Sequence, residues 1–253
     1  MSAVNVGGET GRCRRRRPQN APAGFLSGRG TLPFETYLPY AVGDGTSATL
    51  KVCHAPGMSS LLTPNPQVLD CLSLYSIFGR VTGELPIDTH RLDNISEIVA
   101  IDFLKIDVQG SELAAFHGGR THLTNAVAVH TEVCFMPLYK DQPLFGDIDR
   151  ELRSLGLIPH IFSEIQKAMI LPLRFEKDLY ATMNHALYTD VVYVRDFTRP
   201  DDMNAEQLKH LALIAHYCYQ SYDLTVKCLR DLQLRNAVAA DSVNRYLGAL
   251  AGH

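Results

Sequence analysis

No two of the chain's six cysteines, at positions 13, 53, 71, 134, 218 and 228, stand at the C-x-x-C spacing of a zinc or dithiol site. With that pattern absent no metal centre is expected, and a chain of 253 residues needs no disulfide staples. Cys134 lies in an apolar run and Cys218 in a helical one, the usual setting of buried thiols. A reducing cytoplasm is the expected compartment. No apolar run approaches the ~20 residues that would span a bilayer. The N-terminus lacks the apolar core and small-residue cleavage site of a secretory signal. Net charge is only −3, so the molecule as a whole has no electrostatic pull toward nucleic acid or anionic lipid. No repeat of fixed period is present. These absences leave an ordinary globular composition, 46% hydrophobic and 20% charged, suited to one large domain or one domain with an appendage.

Three regions differ in texture. Residues 1–36 are rich in Gly, Pro and Arg, with a compact basic run at Arg12 and Arg14 to Arg17. No sustained period marks a helix or strand there, and neither aromatic interleaving nor an amphipathic helix accompanies the arginines. A solvated, unstructured segment is expected. Residues 37–198 alternate strand and helix patterns, which points to an α/β sheet of mostly parallel strands. In this region residues 37–42 and 48–53 read as strands joined by the turn Gly43-Asp44-Gly45, a predicted hairpin. A helix is predicted over 67–78, a strand over 85–90, a short helix over 92–98 and a longer one over 145–155. Strands over 157–165 and 188–194 suit a terminal antiparallel pair. Residues 199–253 form a helical extension with segments at 204–216, 219–232 and 239–250, the first capped by Asp202 or Asn204.

The most informative stretch is IDFLKIDVQGSE, residues 101–112. Ile101, Phe103, Leu104, Ile106 and Val108 make an apolar, β-branched run suited to a strand buried on both faces. Such a strand normally excludes charge, yet this one holds Lys105 and Asp107, which alternate onto one face. It ends at Gly110, and Ser111 and Glu112 begin a helix that stops at Gly118-Gly119. Ligands of open α/β sheets bind beyond the carboxyl ends of the strands, where Asp107 lies. A second apolar run, residues 126–135, contains His130 and Glu132. A carboxylate there must be paired or face a cavity. The histidine reads either as a base near neutral pH or as a satisfied core residue.

The pieces YLPYAVGDG, GMSSLL, LPIDTHRLDNI, IDFLKIDVQGSELAAFHGG and VAVHTEVCFMPLYKDQPLFGDIDRELRSLGL follow one another in order. Together they resemble the FkbM-type family of S-adenosylmethionine-dependent methyltransferases, over roughly residues 37–165. The resemblance implies a class I methyltransferase fold, a Rossmann-like sheet holding the cofactor at its carboxyl edge. It implies that Val42, Gly43 and Asp44 lie near the adenine, where a carboxylate can accept from the exocyclic amine. It places Asp107 next to the methyl donor, as cofactor contact and as general base for a hydroxyl acceptor, with Lys105 and Glu132 shaping the site. The acceptor class it suggests is a hydroxyl on a sugar, glycan or secondary metabolite. Structural readings stand beside these: Asp44 as an Asp-Gly turn residue, Lys105 in an ion pair with Asp107 or Glu132, and Glu112 facing the helix dipole. One departure is Gln109, where the family usually carries an acidic residue.

A second departure lies upstream. Residues 4–11, VNVGGETG, echo the family's glycine-rich turn, but few residues precede them to form its strand. The stretch to residue 37 is shorter than the ~45 residues that the following helices and strand need. The sheet is therefore expected to be incomplete at its N-terminal strands. Truncation, a natural variant without that half, and a stunted turn at 4–11 are the alternatives. Two functions follow: an O-methyltransferase, or an inactive methyltransferase-like module that associates through its C-terminal helices with itself or a complete partner.

Overall fold

The computed structural model describes residues 1–6, 36, 38–175 and 177–251. Among these the strands run β1 (Ala3–Val6), β2 (Ala41–Val42), β3 (Ser47–Cys53), β4 (Val81–His90), β5 (Phe103–Ile106), β6 (Ala128–Cys134), β7 (Leu157–Phe162), β8 (Gln166–Ala168) and β9 (His185–Arg195). The main sheet has the order β1-β5-β6-β9-β7, with β8 also paired to β9. Strands β1, β5 and β6 are parallel, and β9 is antiparallel to both β6 and β7. This is the Rossmann-like α/β architecture expected, closed by the antiparallel pair. The expectation of no regular structure before residue 37 fails at Ala3–Val6, which pair in register with Phe103–Ile106. Val4 and Val6 join the main core, so four residues suffice to dock a strand on the apolar edge of β5. The arginine run and the glycines after Val6 lie outside the described residues.

The predicted hairpin does not form. Strands β2 and β3 lie on opposite sides of β4, β2 parallel to it and β3 antiparallel. The turn between them wraps over the end of β4 instead of closing on itself. Gly43 N–H donates to the His90 carbonyl at 3.0 Å, and Thr89 N–H donates to the Thr46 carbonyl at 3.1 Å.

The helices are α1 (Pro66–Leu69), α2 (Tyr75–Phe78), α3 (Glu112–Gly118), α4 (Arg120–Leu123), α5 (Phe145–Ser154), α6 (Ala205–Tyr219), α7 (Tyr222–Leu234) and α8 (Ser242–Ala251). The single helix predicted over 67–78 is two short ones, broken at Leu74 with φ 67°. Tertiary pairing overrides helix propensity here. Ser73 N–H donates to the Met169 carbonyl, Leu171 N–H donates to the Cys71 carbonyl, and Leu72 is buried between them. Of the short helix predicted over 92–98, a single 3₁₀ turn forms at Leu92–Asn94.

Strand alternation places one core cluster on each face of the main sheet, and a third gathers Met58, Leu72, Tyr139 and Leu187. Leu104, Ile106, Val129, Val133, Val191 and Tyr193 face α3 and α5, packing on Phe116, Ile148 and Leu152. Ala128, Val192, Val194 and Phe103 face the other way, onto Leu208, Leu211 and Ile214 of α6 and Leu224, Cys228 and Leu232 of α7. The helical extension thus covers the apolar part of one face of the sheet, over β5, β6, β7 and β9. Asn204 caps α6 in a reciprocal box with Gln207. Helix α8 has no buried residue. Among the described residues no helix is long and apolar enough to cross a membrane.

Candidate functional site

At the end of β5 the chain turns sharply into α3. Asp107 N–H still donates to the Val6 carbonyl at 2.9 Å, continuing the ladder with β1. Gln109 and Gly110 then take positive φ values of 53° and 97°. Glycine tolerates this conformation, and a Cβ at Gly110 would also meet Gln142 and Tyr139 at 3.1 and 3.2 Å. Glu112 closes the turn from inside. Its Oε1 accepts from Val108 N–H at 3.0 Å and from Gly110 N–H at 3.2 Å. Burial pushes the Glu112 carboxyl up to about 7, against the pull of the backbone donors, with the charge of Asp107 adding to the rise. Glu112 is thus part of the framework of the turn as well as a charge in the site.

The register Ile106↔Thr131, carried on by one residue, puts Asp107 beside Glu132 of β6. Across the next pairing Glu132 stands opposite Asp190 of β9. Burial first, then the charges of Asp107, Glu112 and Asp190, raise the Glu132 carboxyl to about 9, and Lys105 pulls the other way. The expected ion pair of Lys105 with Asp107 or Glu132 does not form within 4.0 Å. Lys105 sits one step back from the edge, opposite Asn5 and His130, while Gln109 Nε2 donates to Asp107 Oδ1 at 2.7 Å. His130 is held by Tyr219 of α6, Nδ1 to hydroxyl 3.0 Å, and its Nε2 faces Asp190 at 3.5 Å.

Two cavities meet at Glu132. A cleft of about 270 Å³ runs between Glu132, Ser163, Glu164, Tyr188, Thr189 and Asp190. A smaller space of about 70 Å³ lies on the other side, among Met58, Tyr75, Gln109 and Tyr139. Tyr188 and Glu132 line both. Burial pushes the Tyr188 phenol up, so it stays a neutral hydrogen-bonding group at the cleft.

The family model described as the methyltransferase FkbM domain matches residues 28–158, just over half of the 253-residue chain. The chain belongs to this family. No curated protein and no solved structure matches it. The FkbM match takes in β5, β6, the turn at Gly110 and the carboxylates Asp107, Glu112 and Glu132. Strands β1 and β9, which flank that pair in the sheet, come from outside it, as does the whole helical extension.

FkbM membership implies S-adenosylmethionine as the usual methyl donor. Its sulfonium and ammonium are cations, and the edge of β5 and β6 groups three carboxylates with no ion pair to Lys, Arg or His among the described residues. Burial, with the charge of neighbouring carboxylates adding to it, has raised two of them, so the donor set fits a positively charged ligand. The other half of the predicted site is placed differently. Helix α3 runs back from the turn to connect parallel strands, and the Gly43 carbonyl abuts Gly118 at its far end. Val42, Gly43 and Asp44 are thus about 10 Å of helix away from Asp107. Asp44 Oδ1 accepts from Thr46 N–H at 2.9 Å and from the Thr46 hydroxyl at 2.7 Å, an Asx turn. The structure brings Asp107 and Glu132 to one edge, with Lys105 one step back along β5, and does not bring Asp44 to them. Among the described residues no group of His, Cys, Asp and Glu could hold a metal.

Tyr75, Tyr139 and Tyr188 were not singled out from the sequence. Only Tyr188 left a signal there, since it alternates with Asp190 along β9 and Asp190 pairs with Glu132.

Proposed function

We propose that this FkbM-family chain transfers a methyl group from S-adenosylmethionine to a hydroxyl of a sugar, glycan or secondary metabolite. The observation that supports this most is Glu132, a half-buried carboxyl with its pKa raised to about 9, which lines two cavities beside Asp107. Bound at this edge, S-adenosylmethionine supplies an electrophilic methyl on a sulfonium. Asp107, with Glu112 behind it, provides the negative charge that holds the cationic end. Glu132 takes the acceptor hydroxyl's proton at its carboxylate. A base whose pKa lies near the working pH does this efficiently, and a neighbouring positive charge favours its ionised form. Lys105 already acts in that direction. The cleft offers the hydroxyls of Ser163 and Tyr188 to a polar acceptor, while the Thr189 hydroxyl donates to the Ser163 carbonyl.

A second reading is an inactive module that works through protein association. The position of Asp44, engaged in its own turn at the far end of α3, favours it. Since α6 and α7 spend their apolar faces on the sheet, α8 is the helix left for a partner. Isothermal titration with S-adenosylmethionine or S-adenosylhomocysteine separates the two. Heat of binding and a thermal shift support the enzyme; neither at millimolar ligand sinks it and leaves the module. If the protein binds, Asp107→Asn is expected to abolish turnover with the fold retained, and undiminished turnover would remove Asp107 from the mechanism.

A further inference from the structure

Gln109 replaces an acidic residue with an amide, and the structure shows what the amide does. Its side-chain nitrogen donates to Asp107 Oδ1 at 2.7 Å, and its side-chain oxygen accepts from the Tyr139 hydroxyl at 3.2 Å. An amide offers a donor at one end and an acceptor at the other; an ionised carboxylate offers only acceptors. The backbone of Gln109 is equally constrained. It has φ 53°, uncommon for a residue other than glycine, and its carbonyl accepts from the Ser60 hydroxyl at 2.6 Å. Ser60 and Tyr139 are themselves buried, 2% exposed each, and Tyr139 also points its hydroxyl at the Met58 carbonyl, 3.1 Å away. Buried Ser60 and Tyr139 thus hold Gln109, and Gln109 holds Asp107.

We propose that Gln109 is a positioning residue that fixes the orientation of Asp107 toward the cationic end of S-adenosylmethionine, with Tyr139 and Ser60 fixing Gln109 in turn. This rests on the methyltransferase reading above. The Asp107 Oδ2 atom accepts no hydrogen bond from the described residues, so anchoring Oδ1 leaves one oxygen aimed at the ligand. Small displacements of such a group cost binding because the geometry is no longer prepared in advance.

The test measures the dissociation constant of S-adenosylmethionine by isothermal titration across the acid and neutral pH range, on the full chain. Gln109→Leu removes both hydrogen bonds and is expected to weaken binding about tenfold. Gln109→Glu brings two carboxylates to the present contact, where they hold one proton between them. The pair takes up protons in two separated steps, the first above that of a lone carboxylate, so its affinity is expected to fall toward acid in two stages that begin at higher pH than the single fall in the wild type. A merely structural role would lower affinity alike at every pH. Wild-type affinity in folded Gln109→Leu, or an unmoved acid limb in Gln109→Glu, overturns the assignment while leaving the methyltransferase reading intact. Wild-type protein that binds at no pH overturns both. Should Gln109→Glu not fold, Gln109→Leu decides alone.

Discussion

The Nδ1 atom of His130 lies 3.0 Å from the hydroxyl of Tyr219, joining the central strand β6 to helix α6 across a sheet face. Tyr219 also meets Phe103 of β5 edge to face, with ring centroids 6.2 Å apart. One residue of the extension, outside the FkbM match, thus braces both strands that carry the acidic edge. Tyr219→Phe removes the hydrogen bond and keeps the ring. It is expected to cost about 1 kcal/mol, seen as a fall in Tm of about 2–4 °C. Deleting residues 199–253 uncovers the α6–α7 face of the sheet and is expected to give insoluble protein. A soluble, cooperatively folded 1–198 fragment would show instead that the extension is a separate unit.

Glu132 links stability to pH with a definite sign. Its folded pKa is raised from 4.5 to about 9, so between those values the folded state holds a proton that the unfolded state has released. Stability therefore falls as pH rises through this window, by up to about 1.4 kcal/mol per unit. Glu112, raised to about 7, adds to the loss at the acid end of the window. Glu132→Gln keeps the shape of the protonated group and cannot ionise. Urea unfolding across the window is expected to show a flatter pH dependence than wild type. The same variant is expected to lose turnover by about 10² to 10⁴-fold if Glu132 is the base.

Arg195 at the end of β9 is buried and has no carboxylate in contact among the described residues. Its guanidinium instead donates to the carbonyls of Leu123, Thr124, Ala126 and Leu155, where α4 and α5 end. Burial lowers its pKa, and only a forked, planar donor reaches so many acceptors. Arg195→Leu is expected to destabilise by about 3 kcal/mol or more, since several buried carbonyls lose their partners together. Arg195→Lys, which keeps the charge without the fork, is expected to recover only part of this. Equal stability of the Lys variant and wild type in urea would refute the geometric argument.

Two glycines separate close approach from helix propensity. A Cβ at Gly118 would lie 2.5 Å from the Gly43 carbonyl oxygen, a backbone atom that cannot swing aside. Gly118→Ala is expected to destabilise by about 1–3 kcal/mol. Gly248, inside α8, has nothing within 4 Å of its Cβ position, so Gly248→Ala is expected to gain about 0.5–1 kcal/mol. Opposite signs in thermal unfolding are the outcome to look for.

Much of the edge that bears the carboxylates was legible as local pattern. Alternation along β5 and β6 placed Lys105 and Asp107 on one face and marked Glu132 as a carboxylate that must be paired or open to a cavity. Gly118 and Gly119 were read as a helix stop, and the helix does end there. The reason was not legible: Gly119 has an ordinary φ of −121°. These glycines are required by contact, Gly118 with Gly43 and Gly119 with Leu92. The hairpin at Gly43-Asp44-Gly45 failed for a related reason. Turn chemistry says that the chain bends, while the strand that fills the gap, β4, lies about forty residues further on.

The amino-acid sequence by itself determined the periodicities and turn chemistry of residues 101–135, and with them the family, because those depend on neighbours a few places away. Only the tertiary structure decided which partner each charge met. Lys105 had two plausible carboxylates in sequence and forms an ion pair with neither, because strand register sets it back from the edge, opposite Asn5 and His130. Asp44, predicted beside the same ligand as Asp107, is held at the other end of α3 by the packing of Gly43 on Gly118. Such outcomes depend on distances between residues far apart in the chain, which the chain's order alone does not contain.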